Sequence, residues 1–142
     1  MQIQPSAMGS APGEFQRPQL AMPFIAVAVL SAVLVFLQAL LAGRGWYVDR
    51  DLFDIHEIVA NVVFLAVVAQ VALVFALGVP AGSFRAQLLT VNALLVVLVI
   101  AQIGLGYGIR DSSEAGAWHI PNGVRLFGLS AYNLALLSRL RR

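Results

Sequence analysis

The stretch His56-Glu-Ile-Val-Ala-Asn-Val-Val-Phe-Leu-Ala-Val-Val-Ala-Gln-Val-Ala-Leu-Val-Phe-Ala-Leu77 decides the fold. After Glu57 it carries no charge, and about 20 such residues in a helix cross the hydrocarbon core of a bilayer. Three further stretches read the same way, so spans are expected at about 22–43, 54–78, 84–108 and 117–138. Four spans of about 22 residues use about 88 of the 142 residues. Composition agrees: 60% of the chain is apolar and 11% is charged, against about 25% charged in an ordinary soluble domain. Disordered chains carry the opposite bias. The expected fold is all-α: a polytopic membrane protein built as an antiparallel four-helix bundle over residues 20–142. Residues 1–19, polar and interrupted by Pro5, Gly9, Pro12, Gly13 and Pro18, read as a disordered tail rather than a signal peptide.

The remaining counts exclude whole classes of chemistry. No Cys is present, which removes disulfides, Fe–S clusters and thiolate metal sites. All nine basic residues are Arg and the net charge is +2, with the charges scattered among short loops. Nucleic acid is therefore not an expected partner. Arg17, Arg85, Arg139, Arg141 and Arg142 lie on the tails and the middle turn, whereas six acidic residues join Arg44, Arg50 and Arg110 at the other two loops. The positive-inside rule then puts both termini in the cytoplasm, in a plasma membrane of bacterial type. Trp46, Tyr47, Tyr107 and Trp118 mark the outer boundary.

The two hairpins read as copies of one unit. Val33-Leu-Val-Phe-Leu-Gln38-Ala-Leu-Leu41 aligns with Val97-Leu-Val-Ile-Ala-Gln102-Ile-Gly-Leu105, and the run from His56 to Phe64 aligns with the run from His119 to Phe127. Helical periodicity extends the match inward. One face reads His56, Ala60, Val63, Val67, Gln70, and the other His119, Gly123, Leu126, Ser130, Asn133. Each has a His, a small residue one turn in, and an amide deep in the span. Gln70, Asn92 and Asn133 should meet at one depth, either hydrogen-bonding between helices or contacting a quinone.

His56 and His119 are the only histidines. Spans running in the same direction should face them across the bundle axis. Neutral imidazole is a strong iron ligand, and facing helices of a bundle are a usual place for such a site. Ala60 and Gly123 leave room for a flat macrocycle, and Gly104, Gly106 and Gly108 thin the partner helix. One bis-His haem b fits, with Gln38 and Gln102 beside it and iron as the metal on His56 and His119. The bland reading of each His is a hydrogen-bonded polar residue at a helix end. Structural zinc wants four ligands and finds no obvious third. Arg125, the one charge inside a span, is read as a counter-ion to a haem propionate or to Glu57, or as a side chain snorkelling to the headgroups. Arg44, Arg50 and Arg110 are the other candidates for propionates. Asp54-x-x-Glu57 reads as a capping box opening the second span.

These residues resemble a known pattern. Val99-Ile-Ala-Gln102-Ile-Gly-Leu-Gly106 followed by Trp118-His119-Ile-Pro-Asn-Gly-Val-Arg-Leu-Phe127 is similar to the Gln- and His-bearing segments of the heme A synthase family. His56-Glu-Ile-Val-Ala-Asn-Val-Val-Phe64 is similar to that family's other His helix. The resemblance covers about residues 33–137 and implies one four-helix unit of the kind that family carries in tandem, or a small haem-b membrane cytochrome. It implies axial-ligand roles for His56 and His119. The family's catalytic half has a Glu three residues before its His and an Arg after it; Phe53 and Glu57 stand there in this chain, which argues against haem O oxidation. The expected function is electron transfer or service as a redox subunit, more carrier than enzyme, with a quinone or a larger membrane complex as partner. The alternative is a haem-free structural or assembly subunit of such a complex.

Overall fold

The computed structural model describes residues 16–141. Four helices follow one another: α1 (Ala21–Tyr47), α2 (Leu52–Leu77), α3 (Ser83–Gly108) and α4 (Ser113–Leu137). Single 3-10 turns precede α1 at Pro18–Leu20 and follow α4 at Ser138–Arg141. No strand occurs among the described residues. Connections this short force each helix to run antiparallel to the one before it. Packing closes the ring: α1 lies against α2 and α4, and α3 against the same two.

One stripe of each helix faces inward. In α2 it is Val63, Val67, Gln70, Val74 and Leu77; in α3 it is Leu88, Val91, Asn92, Leu95 and Val99. Helix α1 contributes Phe24, Ala28, Ser31 and Val35, and α4 contributes Leu126, Ser130, Asn133 and Leu137. The spacing of three and four residues is that of a buried helical face. A bundle in water would carry polar residues on the opposite face. Here Phe36, Ile58, Leu65, Phe75, Val97 and Val124 stand there instead, all well exposed.

Three helical stretches are long and apolar enough to cross a membrane: Pro18–Tyr47, Leu52–Leu77 and Ser83–Gly108. The expected fourth, on α4, does not reach that apolarity. Asn122, Ser130 and Asn133, buried on its inward face, and Arg125, exposed on its outward face, lower it. Its outward face still shows Trp118, Ile120, Val124 and Phe127, with Arg125 exposed among them.

The boundaries also move. Helix α1 continues through Gly43, Arg44 and Gly45 to Tyr47, and α4 starts at Ser113 rather than 117. The capping box at Asp54 is not formed: α2 begins two residues earlier, with Asp51 at the cap position and no side-chain cap bond. The expected disordered tail falls for residues 1–15 outside the described residues. For residues 16–19, the Arg17 amide donates to the Leu77 carbonyl at 3.2 Å and the Gln16 amide to that of Gly78 at 3.4 Å.

Gly78 ends α2 in the left-handed region at φ 63°, and a Cβ there would lie 2.6 Å from the Cβ of Gln16. Gly78→Ala should therefore destabilise the bundle by about 1–2 kcal/mol. Gly43→Ala, at a helical position with open space around it, should be neutral or slightly stabilising. Thermal unfolding followed by circular dichroism in detergent separates the two; equal midpoints would contradict the role given to Gly78.

Candidate functional site

The two repeated Gln–His pairs form two half-sites near the ends of the helices. In the first, His56 Nδ1 lies 3.1 Å from the backbone oxygen of Gln38. In the second, His119 Nδ1 lies 3.1 Å from the backbone oxygen of Gln102. A carbonyl oxygen only accepts, so in both rings Nδ1 carries the hydrogen and Nε2 keeps the lone pair. The two rings face one another across the bundle, with centroids 6.2 Å apart and planes tilted by 54°.

The side-chain amides then break the symmetry. Gln38 Nε2 donates to the backbone oxygen of His56 at 3.0 Å, and Gln38 Oε1 is buried with no partner. Among the described residues His56 Nε2 has no hydrogen-bond partner either. In the second half-site Gln102 Nε2 donates to His119 Nε2 at 3.0 Å. Its orientation is set from behind, because Asn122 Nδ2 donates both to Gln102 Oε1 at 2.7 Å and to the Leu98 oxygen at 2.9 Å. Val59 occupies the position in the first repeat that Asn122 has in the second, which is why Gln38 Oε1 lacks a donor. One half-site is closed on itself; the other has two open acceptors.

Small residues make these contacts possible. A Cβ on Gly106 would lie 3.2 Å from His119 Cε1, and one on Gly123 would lie 3.2 Å from Gln102 Nε2. Gly123 thus gives room to the Gln102 amide. Gly104 has open space around it and is exposed, so Gly106 is the glycine that faces the site. Ala60 is half-buried one turn below His56. Behind His56, Phe53 meets the imidazole edge-on at 6.5 Å, seated against Gly45.

Charges ring the mouth. Glu57 pairs with Arg110, not with Arg125, which is exposed and forms no ion pair among the described residues. Arg50 lies over Trp46 at 4.8 Å and near Phe53 at 5.9 Å, beside the His56 half-site. Among the described residues no three His, Asp or Glu side chains gather as a metal-ligand set.

Deeper in the bundle, four polar side chains, one per helix, bond in sequence. Gln70 donates to Ser31 Oγ at 2.7 Å, and Asn133 donates to Gln70 Oε1 at 2.8 Å. Asn92 and Asn133 exchange amide bonds at 3.3 and 3.4 Å. This is the expected depth match of Gln70, Asn92 and Asn133, with Ser31 added. Neither Ser31 nor Asn122 was expected. Ser31 lies seven residues before Gln38, and Asn122 three after His119, so each shares a helical face with a residue already singled out.

The chain matches no family model, no curated protein and no solved structure.

Proposed function

We propose that this is a polytopic membrane protein, α4 included, that binds one haem b between His56 and His119 and serves in electron transfer or as a redox subunit. The observation that carries the reading is the repeated Nδ1–H···O=C bond. Ligating imidazoles usually donate their second nitrogen to a carbonyl, which fixes the tautomer and leaves Nε2 for the metal. Two iron–imidazole bonds of about 2 Å, with roughly 1 Å from each nitrogen to its ring centre, place ring centres about 6 Å apart. The 6.2 Å between His56 and His119 agrees with that separation. At His56 the second ring nitrogen has no hydrogen-bond partner among the described residues, and at His119 the fit requires the Gln102 amide to leave Nε2.

Bound haem supplies one-electron exchange. The residues do the rest: Gln38 and Gln102 hold the imidazoles through their backbone oxygens, Phe53 backs His56, and Arg50 and Arg110 offer cations at the mouth. The acidic loops face outward in this reading and both termini face the cytoplasm of a bacterial cell. With two histidines there is no second bis-His site, so a quinone or a partner subunit completes the circuit. The closed hydrogen bonding of His119 favours a second reading, a haem-free assembly subunit of a larger membrane complex.

An absorption spectrum decides between them. Protein purified from cells supplied with haem should show a Soret band and, on dithionite reduction, a sharp α-band. Both should vanish in the His56→Ala/His119→Ala double variant. A folded wild-type protein with no Soret band leaves the assembly reading.

A further inference from the structure

The two half-sites share a backbone pattern but differ in what their side-chain amides do. We infer that His119 is the releasable member of the pair, with Gln102 as its resting place, and that the position it vacates binds a small neutral diatomic molecule. This rests on the haem reading above.

His56 has one settled partner through Nδ1, and its Nε2 has none. Nothing among the described residues competes for that lone pair. The unpartnered Gln38 Oε1 beside it marks the same half as incomplete. His119 is the reverse: its Nδ1 hydrogen goes to the Gln102 backbone and its Nε2 accepts from the Gln102 side chain. The Gln102 amide cannot turn its oxygen toward His119 without breaking the bond from Asn122. A released His119 therefore finds a fully bonded place waiting, and a bound His119 leaves the Gln102 N–H without an acceptor. An unmade hydrogen bond of this kind favours release by a few-fold to about tenfold.

The exchange is balanced as a substitution. With haem bound, His119 Nε2 would exchange the metal for the Gln102 Nε2–H bond, and the incoming molecule would donate a lone pair in its stead. No electron moves, no proton leaves Nδ1, and the imidazole stays neutral throughout. A small neutral molecule suits the site because the neighbouring carboxylate, Glu57, is already paired with Arg110, and the close approach of Gly106 to the His119 ring and of Gly123 to the Gln102 amide leaves little room for a larger one. Gln102 is a positioning residue, acting through His119.

The test is a carbon monoxide titration of the reduced, haem-loaded protein in detergent. Wild-type protein should shift its Soret band on adding carbon monoxide. Gln102→Leu, which keeps the backbone oxygen that holds His119 but removes the amide, should bind carbon monoxide about three- to tenfold more weakly. Asn122→Leu, which leaves Gln102 in place but frees its amide to rotate, should weaken binding in the same direction. A Soret band that saturating carbon monoxide does not move overturns this inference and leaves the haem reading standing. Unchanged affinity in both variants overturns it as well. Absence of any Soret band overturns both together.

Discussion

His56→Ala should empty the site, whereas His119→Ala should not. Haem per protein chain, measured as the pyridine haemochrome after purification from haem-supplied cells, should fall by more than about tenfold in His56→Ala. Loss of a supporting hydrogen bond alone weakens metal sites by 10–100-fold, and removing the ligand itself costs at least as much. His119→Ala should retain most of its haem, lose the sharp reduced α-band, and bind carbon monoxide more tightly than wild type because the competing imidazole is gone. The inequality follows from hydrogen bonding alone. His56 Nε2 has no partner to give up among the described residues, while His119 Nε2 must forgo the 3.0 Å bond from Gln102. Neither substitution should unfold the bundle, since both rings are partly exposed and the buried stripe lies deeper. Equal haem loss in the two single variants would contradict the assigned asymmetry, and full retention in His56→Ala would remove His56 from the site.

The fold was legible because its signals are local. Length and apolarity give a helix, and spacing of three and four gives its inward face; Val63, Val67 and Gln70 fell where that periodicity puts them. The approach of His56 to His119 and the matching places of Gln38 and Gln102 were legible from the repeat; the bonding of each Gln to the His of its own hairpin was not. What stayed hidden depends on the phase of one helix against another. Gly104 and Gly106 are equivalent in the sequence, yet only Gly106 shares a face with Gln102, four residues before it, and only Gly106 touches His119. Arg125 was the Arg read as a partner for Glu57 and Arg110 one read as a partner for propionates, yet it is Arg110 that pairs with Glu57. The repeat itself concealed Asn122: its counterpart is Val59, so matching the hairpins drew attention away from the residue that makes them differ.

Asn133→Leu should be the most destabilising single change in the deep part of the bundle. Asn133 donates to Gln70 Oε1 and exchanges bonds with Asn92, and all three side chains are about 1% exposed. Their surroundings are apolar, including Val67, Leu88, Leu95 and Leu126. Water cannot replace the lost amide there, so Gln70 Oε1 and one Asn92 group are left unsatisfied. Each buried orphan costs about 1–3 kcal/mol, and the expected loss is about 2–4 kcal/mol. The exposed Arg110–Glu57 pair, with side chains 66% and 45% accessible, should contribute less than about 1 kcal/mol when broken. The decisive comparison is Gln70→Leu/Asn92→Leu/Asn133→Leu. Removing every partner at once leaves no orphan, because Ser31 Oγ already donates to the Val27 oxygen at 2.9 Å. The triple variant should therefore recover much of the stability that the single one loses, as expected when polar partners are replaced together. Unfolding in denaturing detergent, followed by circular dichroism, reads both. A triple variant weaker than the single one by the sum of three separate losses would mean that the polar ring stabilises the bundle outright rather than holding its four helices in register.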